Sequence, residues 1–125
     1  MASISRFEDI KAWQLARQLT VEIYKVTQRP AFRTDIELKN QIRAASGSIM
    51  HNIAEGFEAG SDPEFARFLA YARRSAAEVR SQLYVALDQQ YINQAEFDRF
   101  YELATQCKKT THSLIGYLKN GPTQA

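Results

Sequence analysis

A chain of 125 residues with 45% hydrophobic and 24% charged side chains has the length and composition of a single globular domain, which sets aside disordered and fibrous classes. Sixteen basic against fourteen acidic side chains leave +2, a balance that admits an anionic partner without demanding one. No run approaches the ~20 apolar residues of a membrane span, MASISRFEDI lacks a signal peptide's apolar stretch, and a lone Cys107 offers neither disulfide nor zinc motif, so a cytoplasmic protein without membrane contact, metal or cofactor is expected.

Five Gly and three Pro leave four long segments of helical period. The first helix is expected over about residues 8–28, with Trp13, Ala16, Leu19, Ile23 and Val26 inward, stopping before Arg29-Pro30. The second, about 34–57, opens at Thr34 with Glu37 as capping partner and lines up Leu38, Ile42, Ala45, Ile49 and Ile53. The third, about 63–90, takes Asp62 as N-cap and Pro63 as first helical residue, and buries Phe65, Phe68, Leu69, Ala72, Ala76, Val79, Leu83, Ala86 and Leu87. The fourth, about 94–119, pairs Asn93 with Glu96 and repeats Phe97, Phe100, Ala104, Cys107, Thr111, Leu114 and Leu118, which makes Cys107 a small core residue. Short connections make neighbours antiparallel, so an all-α, up-down four-helix bundle spanning 1–125 is predicted, with only GPTQA disordered.

Two polar strips flank these stripes: Gln41, Ser48, Asn52 and Glu55 on the second helix, and Tyr71, Ser75, Glu78 and Gln82 on the third. Both are expected to be partly buried and to form a network that fixes register or subunit contact, because an unpaired buried polar group costs about 1–3 kcal/mol. The strip lacks a nucleophile, and no Glu-x-x-His pair suits a di-metal bundle. His51 and Glu55 are four residues apart, but His51 projects away from the Ile stripe as a solvent or interface residue.

The chain resembles the four-helix-bundle proteins described as encoded by intervening sequences within 23S ribosomal RNA genes. The likeness runs through Phe7-Glu-Asp-Ile-Lys-Ala-Trp13, Leu38-x-x-Gln41-Ile-Arg43-Ala-Ala, Ser48-Ile-x-x-Asn52-Ile-Ala-Glu55-Gly56 and Glu64-Phe65-x-Arg67-Phe68-Leu-x-x-Ala72-x-x-Ser75-x-x-Glu78. The resemblance implies a non-enzymatic bundle assembling as a homopentameric ring, in a family that includes an accessory protein binding a reverse transcriptase and its RNA. Gly47 stands where that family more often has Ser, Val or Thr, and suggests close approach of another backbone.

Between Phe65 and Leu87 the third helix holds Arg67, Arg73, Arg74 and Arg80 against one acid, Glu78. Arg67/Arg74 and Arg73/Arg80 form separate rows outside the core, suited to phosphate or to ion pairs with neighbouring acids; Arg43 joins them as a candidate nucleic-acid contact. Lys108, Lys109 and Lys119 read as a helix-dipole gradient. Small or outward positions, Ala70, Ala77 and Tyr84 on the third helix and Ala44 and Gly47 on the second, suggest self-association, with Ala44, Gly47, His51, Ala77 and Tyr84 as the interface. The expected function is a homo-oligomer holding RNA or DNA electrostatically; the competing reading is a scaffold for a protein such as a reverse transcriptase.

Overall fold

Apolar residues at steps of three and four can share one buried stripe only on a helix, and the computed structural model, which describes residues 4–121, is helical accordingly, with no strand among the described residues. A 3-10 turn at Phe7–Asp9 leads into α1 (Lys11–Val26), a short α2 (Pro30–Thr34), α3 (Ile36–Glu58), α4 (Asp62–Asp88) and α5 (Gln94–Asn120). The disorder expected of GPTQA falls on residues 122–125, outside the described residues; Gly121 itself follows α5 at φ 77°.

Side-chain pairs fix the topology. Glu22 meets Arg99 at 3.2 Å and Arg29 meets Glu96, so α5 descends as α1 ascends. Arg73 with His112, Arg80 with Tyr101 and Tyr84 with Phe97 run α4 against α5, while Ser48 with Ser75 ties α3 to α4. The long helices therefore pack in the cyclic order α1, α3, α4, α5, an antiparallel up-down bundle.

The predicted stripes meet at its centre. Leu19, Ile23, Ile42, Ile49, Ile53, Leu69, Val79, Leu83 and Phe100 are all buried, each contributing about 1.5–3 kcal/mol of apolar transfer. Trp13, Phe68, Leu87, Leu114 and Leu118 are only half-buried, and Ile115 takes the core position near the end of α5. Cys107 is fully buried, and its thiol is pushed up to about 12, the form of an inert packing residue.

Helix boundaries differ from expectation where local chemistry offered a nearer alternative. Ile10 adopts an extended conformation and is buried, so α1 starts at Lys11, three residues late, and the chain ahead of it closes into the 3-10 turn. Pro30 does not merely end α1: at the first position of α2 its missing N–H costs nothing, and that helix buries Phe32 completely. Thr34 is consequently helical, with its hydroxyl on the Ala31 carbonyl at 3.0 Å, and cannot cap α3. Asp35 does so instead, accepting the Leu38 N–H at 3.1 Å through one oxygen and the Tyr91 hydroxyl at 2.9 Å through the other. At α4 the cap is Ser61, whose extended backbone lets its hydroxyl accept from the Glu64 N–H; Asp62 lies in the first turn, where the helix dipole favours its charge.

The link from α4 to α5 is tightly specified. Gln90 takes a left-handed conformation at φ 62°, allowing the Tyr91 N–H to reach the Ala86 carbonyl at 2.9 Å and stopping α4 at Asp88 without a glycine. Asn93 and Glu96 then form the predicted capping box. Arg29 grips the same Glu96 through both guanidinium nitrogens, and with the Asn93 N–H it holds that carboxyl well below the usual range, to about 2.

Gly56 is the point of closest approach between α3 and α4. A Cβ there would sit 2.7 Å from the Cβ of Phe68 and 3.3 Å from the Phe65 carbonyl oxygen, atoms too near the backbone to swing aside. Gly56→Ala is expected to destabilise the fold by about 1–3 kcal/mol through overpacking, outweighing alanine's better helix propensity. Denaturant unfolding checks this; a variant as stable as the parent would contradict the close-packed junction.

Candidate nucleic-acid interface

Heptad spacing sorts the arginines of α4 into two rows, one turned toward α5 and one on the outer face of the helix, and the contacts differ accordingly. On the outer row, Arg67 borders the α4–α5 groove but is engaged by its own helix: it meets Glu64 at 2.7 and 3.2 Å and donates to the Tyr71 hydroxyl at 2.9 Å, which raises its pKa further. Its charge is thereby matched, so Arg67 fits the ion-pair alternative rather than the phosphate one. Arg74 lies 5.4 Å from the Tyr71 ring and is exposed.

On the α5 side neither arginine finds an acid among the described residues. Arg73 donates to Nδ1 of His112 at 2.9 Å. Arg80 donates to the Tyr101 hydroxyl at 2.9 Å and lies 4.9 Å from that ring, while its buried Nε has no hydrogen-bond partner. Uncharged partners orient a guanidinium without cancelling its charge.

Antiparallel docking then brings the lysines of α5 to the same place. Lys108 and Lys109 line one hollow of about 500 Å³ with Arg73 and His112. Lys119 lines an adjoining groove of about 750 Å³ with Arg67, Arg73 and His112, over a floor that includes Ala66, Ala70 and Gly116; Asp62 is its acid. From sequence these lysines read as a helix-dipole gradient, and His112 drew notice only as a histidine without the spacing of a di-metal pair. The missed signal was register: with α4 and α5 joined by residues 89–93, Arg73 must face the neighbourhood of His112. The result is a basic track along the outer α4–α5 seam.

A family model described as 23S rRNA-intervening sequence protein matches residues 8–113. The chain belongs to that family. No curated protein matches it. The matched span takes in α1, α3 and α4 whole and α5 through Ser113, and so includes every one of the predicted site residues.

In this member of the 23S rRNA-intervening sequence protein family, part of the proposed polar network forms. Asn52 donates to the carbonyl and hydroxyl oxygens of Ser48 at 2.8 and 2.9 Å, and the Ser48 and Ser75 hydroxyls lie 2.9 Å apart, leaving a relay from Asn52 through Ser48 to Ser75 across α3 and α4. Gln41, Glu55 and Glu78 are exposed and outside it, because antiparallel packing buries only the inner edge of each strip. Gln82 is the converse: it is buried between the helices, with Oε1 lacking a partner. Arg43 is remote from the α4–α5 seam; its Nε donates to Thr27 at 2.8 Å and its guanidinium covers the Tyr24 ring at 4.4 Å, which joins α3 to α1.

The outward positions also separate. Ala44 and His51 are exposed on α3, and beside Gly47 only the His51 ring comes near, at 3.4 Å, so no backbone among the described residues accounts for that glycine. Ala77 is exposed on α4, and Tyr84 belongs to an aromatic group with Phe97 and Tyr101. Among the described residues no cluster of three metal-ligating side chains occurs, and no helix is long and apolar enough to cross a membrane.

Asn52→Ala is expected to cost about 1 kcal/mol by breaking the relay. Glu55→Ala, at an exposed site, should stay within about 0.5 kcal/mol of the parent. Thermal melting distinguishes the two, and equal losses would contradict the partition of the strip.

Proposed function

We propose that this protein is a non-enzymatic RNA-associated module that holds the phosphate backbone along the α4–α5 seam. The observation carrying the reading is that Arg73 and Arg80 are fixed by uncharged partners rather than carboxylates, beside Lys108, Lys109 and Lys119. Such a track gains affinity from counterion release and reads no base sequence by itself, and DNA offers it the same phosphates. The family description, which ties its members to 23S rRNA, favours RNA as the nucleic acid. A non-enzymatic role agrees with the cross-helix hydroxyl pair being held by Asn52, an amide that cannot take up a proton as a base.

Self-association is part of this reading. The face of α3 bearing Ala44, Gly47 and His51 packs against nothing in its own chain, and five copies in a ring, as the family likeness implies, would repeat the basic track around the assembly. A second reading, a docking scaffold for a protein such as a reverse transcriptase, is favoured by an apolar groove of about 500 Å³ between α1 and α5 that includes Ile4, Ile10, Leu114 and Tyr117. Retention of a partner after nuclease treatment would favour the scaffold.

Anisotropy titration of a structured RNA should give binding at about 50 mM salt that falls steeply as salt rises. Light scattering on the same samples should give a mass several times that of one chain. Absence of binding at low salt would remove the RNA role, and a strictly monomeric mass at high concentration would remove the assembly.

A further inference from the structure

One end of the basic track carries a half-exposed aromatic ring. Tyr84 is 51% exposed, yet its ring packs tilted at 58° against Phe97, with centroids 4.9 Å apart, and edge to face with Tyr101 at 5.8 Å; Phe97 and Tyr101 themselves stack at 5.3 Å. Four residues earlier on the same helix, Arg80 lies over Tyr101 and bonds its hydroxyl. A large ring that is packed against two others, half in water and one turn from a guanidinium has an uncommon combination of properties: it is apolar, already ordered and electropositive.

We infer that Tyr84 is a stacking platform for an unpaired nucleobase, with Arg80 taking a phosphate that flanks it. The inference rests on the RNA-binding reading and deepens it, because it names single-stranded rather than duplex RNA as the form bound at this end of the track. A duplex presents its backbone to the seam but keeps the faces of its internal bases stacked on one another, so it gains from the arginines and lysines and not from the tyrosine. A single strand can turn a base outward onto the ring, and the stacking tolerates any base because each has a π-face. Phe97 and Tyr101 restrict the Tyr84 side chain before binding, so little rotamer freedom is lost when the base arrives. The charge at this end argues against an apolar protein helix there, since such a partner would bury Arg80 without compensation.

The test compares an oligouridylate of about 12 nucleotides with an RNA duplex of similar phosphate number, at matched salt, on the full chain. Tyr84→Ala should weaken the single strand about tenfold and leave the duplex unchanged, and Tyr84→Phe, which keeps the ring, should restore single-strand affinity. Melting of each variant confirms the fold, and light scattering reports its mass. If Tyr84→Ala alters both RNAs equally, or neither, the stacking inference is overturned while the phosphate track stands. If Tyr84→Ala instead breaks an assembly into smaller species, Tyr84 is a contact between copies and the inference is likewise overturned. Failure of the parent protein to bind either RNA at low salt overturns the RNA reading as a whole.

Discussion

The register between α4 and α5 is the constraint on which the rest of the molecule depends. It is set over a few residues: a left-handed Gln90 ends one helix, Asn93 and Glu96 start the next, and Arg29 clamps that start to the end of α1. A charged hydrogen bond shared between a helix cap and a third helix restrains both the rotation and the height of α5. From that fixed origin the seam follows: Tyr84 over Phe97, Arg80 at Tyr101, Arg73 at His112, Lys119 beside the first turns of α4.

The other side of α4 is organised by proximity rather than by charge. Gly56 lets α3 approach until the Phe68 Cβ occupies the space a side chain would need, and in the two turns before it Asn52 donates to Ser48, whose hydroxyl meets that of Ser75. Small residues and short polar side chains thus work together there: the first brings two helices close, and the second satisfies the polar groups that closeness desolvates. Asn52 and Gly56 are therefore structural in this chain, while Arg73 and Arg80 lie on the opposite flank of α4.

Much of this was legible in the sequence. The Ile stripe of α3, the alanine and leucine stripe of α4 and the Asn93–Glu96 box follow from periodicity and spacing alone, because amphipathic burial and local capping are short-range properties. What the spacing could not give was the outcome of local competition: Thr34 looked like a cap until Pro30 initiated a helix that enclosed it, and Asp35 took over. Arg67 and Arg73 looked alike in sequence, yet one finds Glu64 on its own helix and the other reaches a histidine 39 residues away. Gly56 stood out only as a small residue near a helix end, although its task is contact with Phe65 and Phe68. Long-range register decides the last two of those cases, and it is absent from any window of a single helix.

If the seam is the binding surface, the two arginine rows of α4 must differ in function as they do in contacts. The most direct measurement is the salt slope of RNA affinity for two paired variants, one carrying Arg73→Gln with Lys108→Gln and one carrying Arg67→Gln with Arg74→Gln. Neutralising two seam cations should flatten the slope by about 2, while the outer pair, with Arg67 already matched by Glu64, should flatten it by about 1 or less. Equal slopes for both variants, or the larger change for the outer pair, would contradict the account.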